Sequence, residues 1–219
     1  MVSSFMLVIL LFGKLSLLSL GTWFGLAIFV ILGLLDDIYD LGPWQFVGQF
    51  LGALLVVAGN VSIVFFKNPF TAEYIYPGIA GILLTIFWIL LLTNAINWSD
   101  GIDGLATGIS LIAGLVLFGL SLKIGQYEVV QLVLIFIAVI AGFLVFNFPP
   151  AKIFLGTIGV NFLGFMFSIL SIQGGAKVAT TFLVLALPII DVAITIFRRI
   201  RAGQKIYLPD NKHLFHQLQ

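Results

Sequence analysis

Apolar residues in this chain come in long runs with short polar breaks between them, rather than alternating with polar residues at a helix or strand period. A hydrocarbon core of about 30 Å takes roughly 20 helical residues to cross. Runs of that order lie at Leu15–Leu35, Phe46–Phe66, Pro77–Asn97, Leu105–Leu122, Val129–Phe148, Ile158–Ile172 and Val178–Phe197, after a partial run at Met1–Phe12. Ile158–Ile172 is short and reads as tilted or only partly spanning. The expected fold is therefore all-α, a polytopic membrane bundle of about seven full helices plus a partial N-terminal one. It reads as a single transmembrane domain over residues 1–219.

Composition places the chain in the same class. It is 61% apolar and 9% charged, with a mean hydropathy of +1.22, outside the range of soluble globular domains. A net charge of +1 carries no nucleic-acid signal, and the absence of cysteine excludes disulfides and thiolate metal sites. No basic residue precedes the Met1–Phe12 run and no small-residue cleavage pattern follows it, so no signal peptide is expected.

If each run crosses once, alternation sorts the polar breaks between two faces. One face receives Asp36, Asp37 and Asp40, the Asp100–Gly104 loop, Phe148–Lys152, Gly156–Gly159 and the tail from Arg198 to Gln219. The other receives Lys14, Lys67, Glu73, Lys123, Glu128 and Lys177. Six of the seven aspartates thus share a face, and Asp191 lies within two turns of it. Loops that needed only solvation would mix acidic and basic residues on both sides. The cluster Arg198, Arg199, Arg201 and Lys205 makes the aspartate face cytoplasmic by the positive-inside rule, with contact to anionic lipid or substrate phosphate as a second reading.

Ionisable and amide groups at a bilayer boundary are costly to desolvate, which makes them candidates for function. Asp36 and Asp37 end an apolar run, and like charges so close call for a cation or a basic partner. Mg2+, which takes one or two carboxylates together with waters and phosphate oxygens, suits them. In Asn94–Leu105, Asp100 and Asp103 stand beside Gly101 and Gly104, so a broken helix facing a water-filled cleft is expected, with Asn94 and Asn97 on the preceding turn. A capped helix end would explain one aspartate, but it leaves both asparagines unaccounted for. Pro149 and Pro150 stop one helix, and Thr157 as N-cap opens the next, with free amides that suit an anion and Lys152 nearby. Near the end, His213 and His216 share one helical face and could donate to a diphosphate or bind metal.

These pieces resemble the polyprenyl-phosphate N-acetylhexosamine-1-phosphate transferases, membrane enzymes that begin bacterial lipid-linked glycan synthesis. The resemblance rests on Gly33–Leu41, Asn94–Ala106, Asn147–Gly156, Pro188–Asp191 and His213–His216, in order and spacing over Thr22 to Leu218. It implies transfer of N-acetylhexosamine 1-phosphate from a UDP-sugar to undecaprenyl or another polyprenyl phosphate, with Mg2+ as cofactor and UMP as product. It assigns Asp36 and Asp37 to activation of the lipid phosphate and to the metal. Asn94, Asn97, Asp100, Asp103, Lys152, His213 and His216 are assigned to the substrates. The expected partners are the UDP-N-acetylhexosamine, the polyprenyl phosphate and the lipid bilayer, with a homodimer left open and no nucleic acid.

The tail pattern is more similar to the O-antigen, enterobacterial-antigen and teichoic-acid enzymes than to the peptidoglycan branch, which points to UDP-N-acetylglucosamine. The implied location is the bacterial inner membrane. The chain differs from the family pattern where Thr157 stands in place of a metal-binding aspartate, and at Phe215 and Gln217. It also lacks segments expected at both ends. A silent relative that binds lipid phosphate or nucleotide sugar is the alternative reading, and a transporter ranks behind it because the polar groups gather at one face instead of mid-membrane.

Overall fold

A computed structural model of the chain describes residues 1–12, 17–67, 73–173 and 177–201. The described residues are helical but for loops and one short hairpin. In chain order the elements are α1 (Val2–Leu11), α2 (Leu20–Tyr39), α3 (Trp44–Ala58), β1 (Phe66–Lys67), β2 (Tyr74–Ile75), α4 (Ala80–Ser99), α5 (Leu105–Lys123), α6 (Tyr127–Asn147), α7 (Gly156–Ile172), α8 (Lys177–Val184) and α9 (Ala186–Arg201). The two strands pair antiparallel, Phe66 opposite Ile75 and Lys67 opposite Tyr74.

Helix α7 is the centre of the bundle. Every residue from Gly159 to Ile172 is buried, against α2 and α4 above all. A helix apolar on all sides belongs inside protein or lipid, and here the surroundings are protein. Phe162 meets Phe5 of α1 and Phe136 of α6 edge-on, with ring centroids at 5.3 and 5.8 Å, and Phe165 packs on Phe29 of α2 at 4.8 Å. The outer helices turn Leu20, Phe24, Leu83, Phe87, Ile112 and Val145 outward, each more than half exposed, which is the pattern of a lipid-facing surface.

Lipid tails are as apolar as leucine, so membrane helices associate through close packing at small residues. Gly33 of α2 lies against the first turn of α7, where a Cβ would sit 2.5 Å from the Ile158 Cα. At Gly164 of α7 a Cβ would collide with the Thr93 backbone of α4. These contacts let main chain approach main chain and fix the spacing of α2, α7 and α4.

Among the described residues four helices, α2, α4, α5 and α6, are long and apolar enough to cross a membrane, and a fifth span arises if the α8–α9 pair is one crossing. This corrects the expectation of seven. Helix α3 has 15 residues, about 22 Å, because Gly59 and Asn60, the latter at φ 62°, end it. The rest of that apolar run, Val61–Phe65, has no regular secondary structure. It packs on α4, where the Ile63 N–H donates to Thr85 Oγ1 at 2.8 Å, so that amide is satisfied by protein rather than water. Helix α7 has 17 residues, and the run expected at Val178–Phe197 bends by 75° between α8 and α9.

Gly33→Ala and Gly164→Ala are each expected to lower the melting temperature of the purified protein by several degrees. Gly108→Ala, in α5 with open space around its Cβ, is expected to leave it unchanged or raise it, by about 0.5–1 kcal/mol of helix propensity. Thermal unfolding of the three variants side by side checks the comparison.

Candidate active site

Helix α2 runs on past its apolar stretch to Tyr39, and Asp40 caps it in the left-handed conformation at φ 51°. Asp36 and Asp37 therefore lie on the last helical turn, and the structure sets them against the start of α7. Asp37 receives the Thr157 N–H on Oδ1 at 2.7 Å and the Ile158 N–H on Oδ2 at 3.3 Å. Asp36 accepts the Leu41 N–H on Oδ1 at 2.9 Å and the Thr157 hydroxyl on Oδ2 at 3.0 Å. The first amides of a helix have no intrahelical acceptor and carry the positive end of its dipole, so a carboxylate from a neighbouring helix is a favourable cap. Gly156, at φ 64°, turns the chain into α7, and a Cβ there would lie 3.0 Å from Asp37 Oδ2.

The second acidic group grips the same connection six residues earlier. Asp103 Oδ2 accepts the Ala151 N–H at 3.0 Å, just beyond Pro149–Pro150. Beneath it, Thr107 Oγ1 donates to Asn147 Oδ1 at 2.7 Å, and Asn147 Nδ2 donates to the Ile153 carbonyl at 3.0 Å. Residues 148–157 are thus held by Asp103 at one end and by Asp36 and Asp37 at the other. Lys152 is exposed on this connection. Asp100 follows the last turn of α4, its N–H bonded to the Asn97 carbonyl at 3.2 Å. Burial, and then the nearby charge of Asp103, push the Asp100 carboxyl up to about 7.

Asn94 lies one turn deeper. Its Nδ2 donates to Gln49 Oε1 at 2.9 Å and to the Leu90 carbonyl at 2.8 Å. Gln49 Nε2 reaches Asn161 Oδ1 at 3.4 Å, and Asn161 Nδ2 donates to the Phe29 carbonyl at 3.2 Å. This buried carboxamide chain ties α2, α3, α4 and α7 together directly beneath the acidic groups. Gln45, one turn outward of Gln49 on α3, is 8% exposed and its Nε2 has no hydrogen-bond partner. Sequence reasoning missed Gln45, Gln49 and Asn161, and took Asn147 only as part of a motif, without a role. The available signal was a polar residue at or inside an apolar run, which is expensive in a membrane unless it is partnered.

Among the described residues no three His, Cys, Asp or Glu side chains gather as a metal cage. Asp36 and Asp37 offer oxygen donors only, and each of their oxygens keeps a lone pair beyond the hydrogen bond it accepts. That donor set fits a hard cation completed by waters and phosphate oxygens. His213 and His216 lie outside the described residues, and Asp191 is buried on α9, which packs against α4.

Fold and site together define a multi-pass helical membrane protein with carboxylates and a helix N-terminus joined at one end. The glycosyl transferase family 4 model matches residues 19–175, and the chain belongs to that family. It is 40% identical over 201 residues to the probable undecaprenyl-phosphate N-acetylglucosaminyl 1-phosphate transferase of Bacillus subtilis (strain 168), covering 89% of this chain and 56% of that protein. It is 32% identical over 189 residues to the undecaprenyl-phosphate alpha-N-acetylglucosaminyl 1-phosphate transferase of Thermotoga maritima, covering 85% and 57%. To the decaprenyl-phosphate N-acetylglucosaminephosphotransferase of Mycobacterium leprae it is 29% identical over 220 residues, covering 88% and 55%. The chain spans a little over half the length of these curated relatives.

Three outcomes follow from the burial of Asp100, Gln49 and Gln45. A carboxyl that keeps its proton to about pH 7 when folded but releases it near 3.8 when unfolded makes the folded state progressively less favourable as pH rises between those values. The melting temperature is therefore expected to fall from about pH 4 to about pH 7, and Asp100→Asn to flatten that slope, in a pH series of thermal unfolding. Gln49→Leu strands Asn94 and Asn161 and is expected to cost about 1–3 kcal/mol. Gln45→Leu removes a donor that has no partner, so its melting temperature should match or exceed that of the parent.

Proposed function

We propose that this chain transfers N-acetylhexosamine 1-phosphate, with N-acetylglucosamine as the sugar, from a UDP-sugar to a polyprenyl phosphate. The observation that carries the reading is the double grip on residues 148–157, which draws Asp36, Asp37, Asp103 and the start of α7 to one end of a membrane bundle. The names of the Bacillus subtilis and Thermotoga maritima relatives support the sugar and the acceptor. Arg198, Arg199 and Arg201, which close α9, favour the cytoplasmic side of a bacterial inner membrane for this face.

In the proposed reaction an oxygen of the lipid phosphate attacks the phosphorus that bears the sugar. The bond from that phosphorus to the oxygen bridging the uridine-side phosphate breaks, and UMP leaves. Asp36 is the group assigned to take the proton of the lipid phosphate. Its Oδ2 is held by a hydroxyl that can rotate away, whereas releasing Asp37 would require undoing the first turn of α7. Asp37 keeps that turn in place. Asn97, Asp100 and Asp103 face the nucleotide sugar, with Asn94 bracing the α4 turn behind them. Lys152, and by resemblance His213 and His216, meet the phosphates. Mg2+ would be held by Asp36 and Asp37, and when bound it neutralises charge on the diphosphate.

A second reading, binding without turnover, draws on the fact that all four Asp36 and Asp37 oxygens already accept a protein hydrogen bond. Proteoliposomes given labelled UDP-N-acetylglucosamine, undecaprenyl phosphate and Mg2+ decide between the two. The expected result is UMP and lipid-linked pyrophosphoryl sugar in equal amounts, with Asp36→Asn lowering the rate by about 10²–10⁴-fold while nucleotide-sugar binding persists. Binding of the UDP-sugar with no product from the parent chain would discard transfer in favour of the second reading.

A further inference from the structure

Two adjacent carboxylates at a helix junction repel each other, and water, a cation or hydrogen-bond donors can answer that repulsion; here Asp37 is exposed and Asp36 half-buried. In this chain each of the four carboxylate oxygens has one such donor. Leu41 N–H and the Thr157 hydroxyl serve Asp36, and the Thr157 and Ile158 N–H groups serve Asp37. Two of the four are opening amides of α7, which bring the positive end of a helix dipole to the pair. Gly33 packs backbone to backbone against Ile158, so the two helices stand at close approach beside the pair.

We propose that Thr157 takes the place of a resident cation at the α2–α7 junction. It is a positioning residue whose hydroxyl completes the solvation of Asp36, so that the junction is whole without a divalent ion. Among the four donors it is the only side chain, hence the only one that a substitution can remove while the main chain is kept. Replaced by aspartate, position 157 would add a third carboxylate to the pair, and oxygen ligands so gathered are the setting in which a hard divalent cation becomes structural. A cation at Asp36 and Asp37 in this chain would thus arrive with a phosphate ligand instead of holding the fold. The inference concerns the junction itself and goes beyond the transfer reading, so it stands or falls without an activity measurement.

The test is thermal unfolding and amide hydrogen exchange of the purified chain, in EDTA and in excess Mg2+, with no nucleotide or lipid phosphate present. The parent and Thr157→Ser should melt at the same temperature in both buffers, with residues 157–160 equally protected. Thr157→Val should lose stability in both, with exchange at the start of α7 faster by about tenfold, and Mg2+ should not restore it. Thr157→Asp should lose stability in EDTA and regain it with Mg2+. A parent that loses melting temperature and α7 protection in EDTA would overturn the proposal, as would a Thr157→Asp variant indifferent to Mg2+. Should Thr157→Asp fail to fold in EDTA, the comparison of the parent and Thr157→Val between the two buffers still decides.

Discussion

Helix α7 gives no face to lipid along Gly159–Ile172, and the rest of the structure answers to that burial. Its sides are closed by aromatic rings from α1, α2 and α6 and by direct main-chain contact with α4 at Gly164. Its first amides, left without acceptors by helix geometry, have to find them in another element. They find Asp37, and the carboxylates that mark the site are for that reason also the fastening of the core. Position and chemistry are coupled here, since a change at the end of α2 is felt along the most buried helix of the bundle.

The carboxylates at this end occupy different environments, and this separates what each can do. Asp37 is held by main chain alone. Asp36 shares its charge between one amide and one rotatable hydroxyl. Asp103 fastens the Pro149–Pro150 turn, and Asp100, half-buried and facing Asp103, titrates near neutrality. Groups of one residue type are thereby given unlike hydrogen-bond partners and unlike mobility. Under them the Asn94–Gln49–Asn161 chain supplies a rigid floor, since a buried polar network fully satisfied fixes the register of the helices that carry it.

Much of the architecture was legible from hydrophobic runs alone. The runs containing α2, α4, α5 and α6 stand out because their length matches a hydrocarbon core, and strict alternation sends Asp36, Asp100, Pro149 and Thr157 to one end. The same runs overcount the spans, because apolarity registers burial without saying whether lipid or protein does the burying. Val61–Phe65 is as apolar as a helix yet forms none, and α7 is more apolar than its short length would suggest because it is sheathed by other helices. The bonds from Thr157 to Asp36 and Asp37 reach across 121 and 120 residues, and no local pattern announces them. Asn94 illustrates the opposite difficulty. Its place beside Asn97 suggests the cleft, but one turn of helix carries it inward to Gln49.

The shortness of α3 has a consequence for the surrounding bilayer. A membrane thick enough for the 20 and 21 residues of α4 and α6 exceeds the reach of α3 by about 8 Å. Beyond α3 the chain runs on as irregular backbone, which α4 covers at Ile63 through Thr85. The protein therefore presents lipids with a perimeter of uneven height. Where a short helix such as α3 meets lipid, a bilayer accommodates the mismatch by thinning or tilting, and that elastic cost is then part of the energy of the fold.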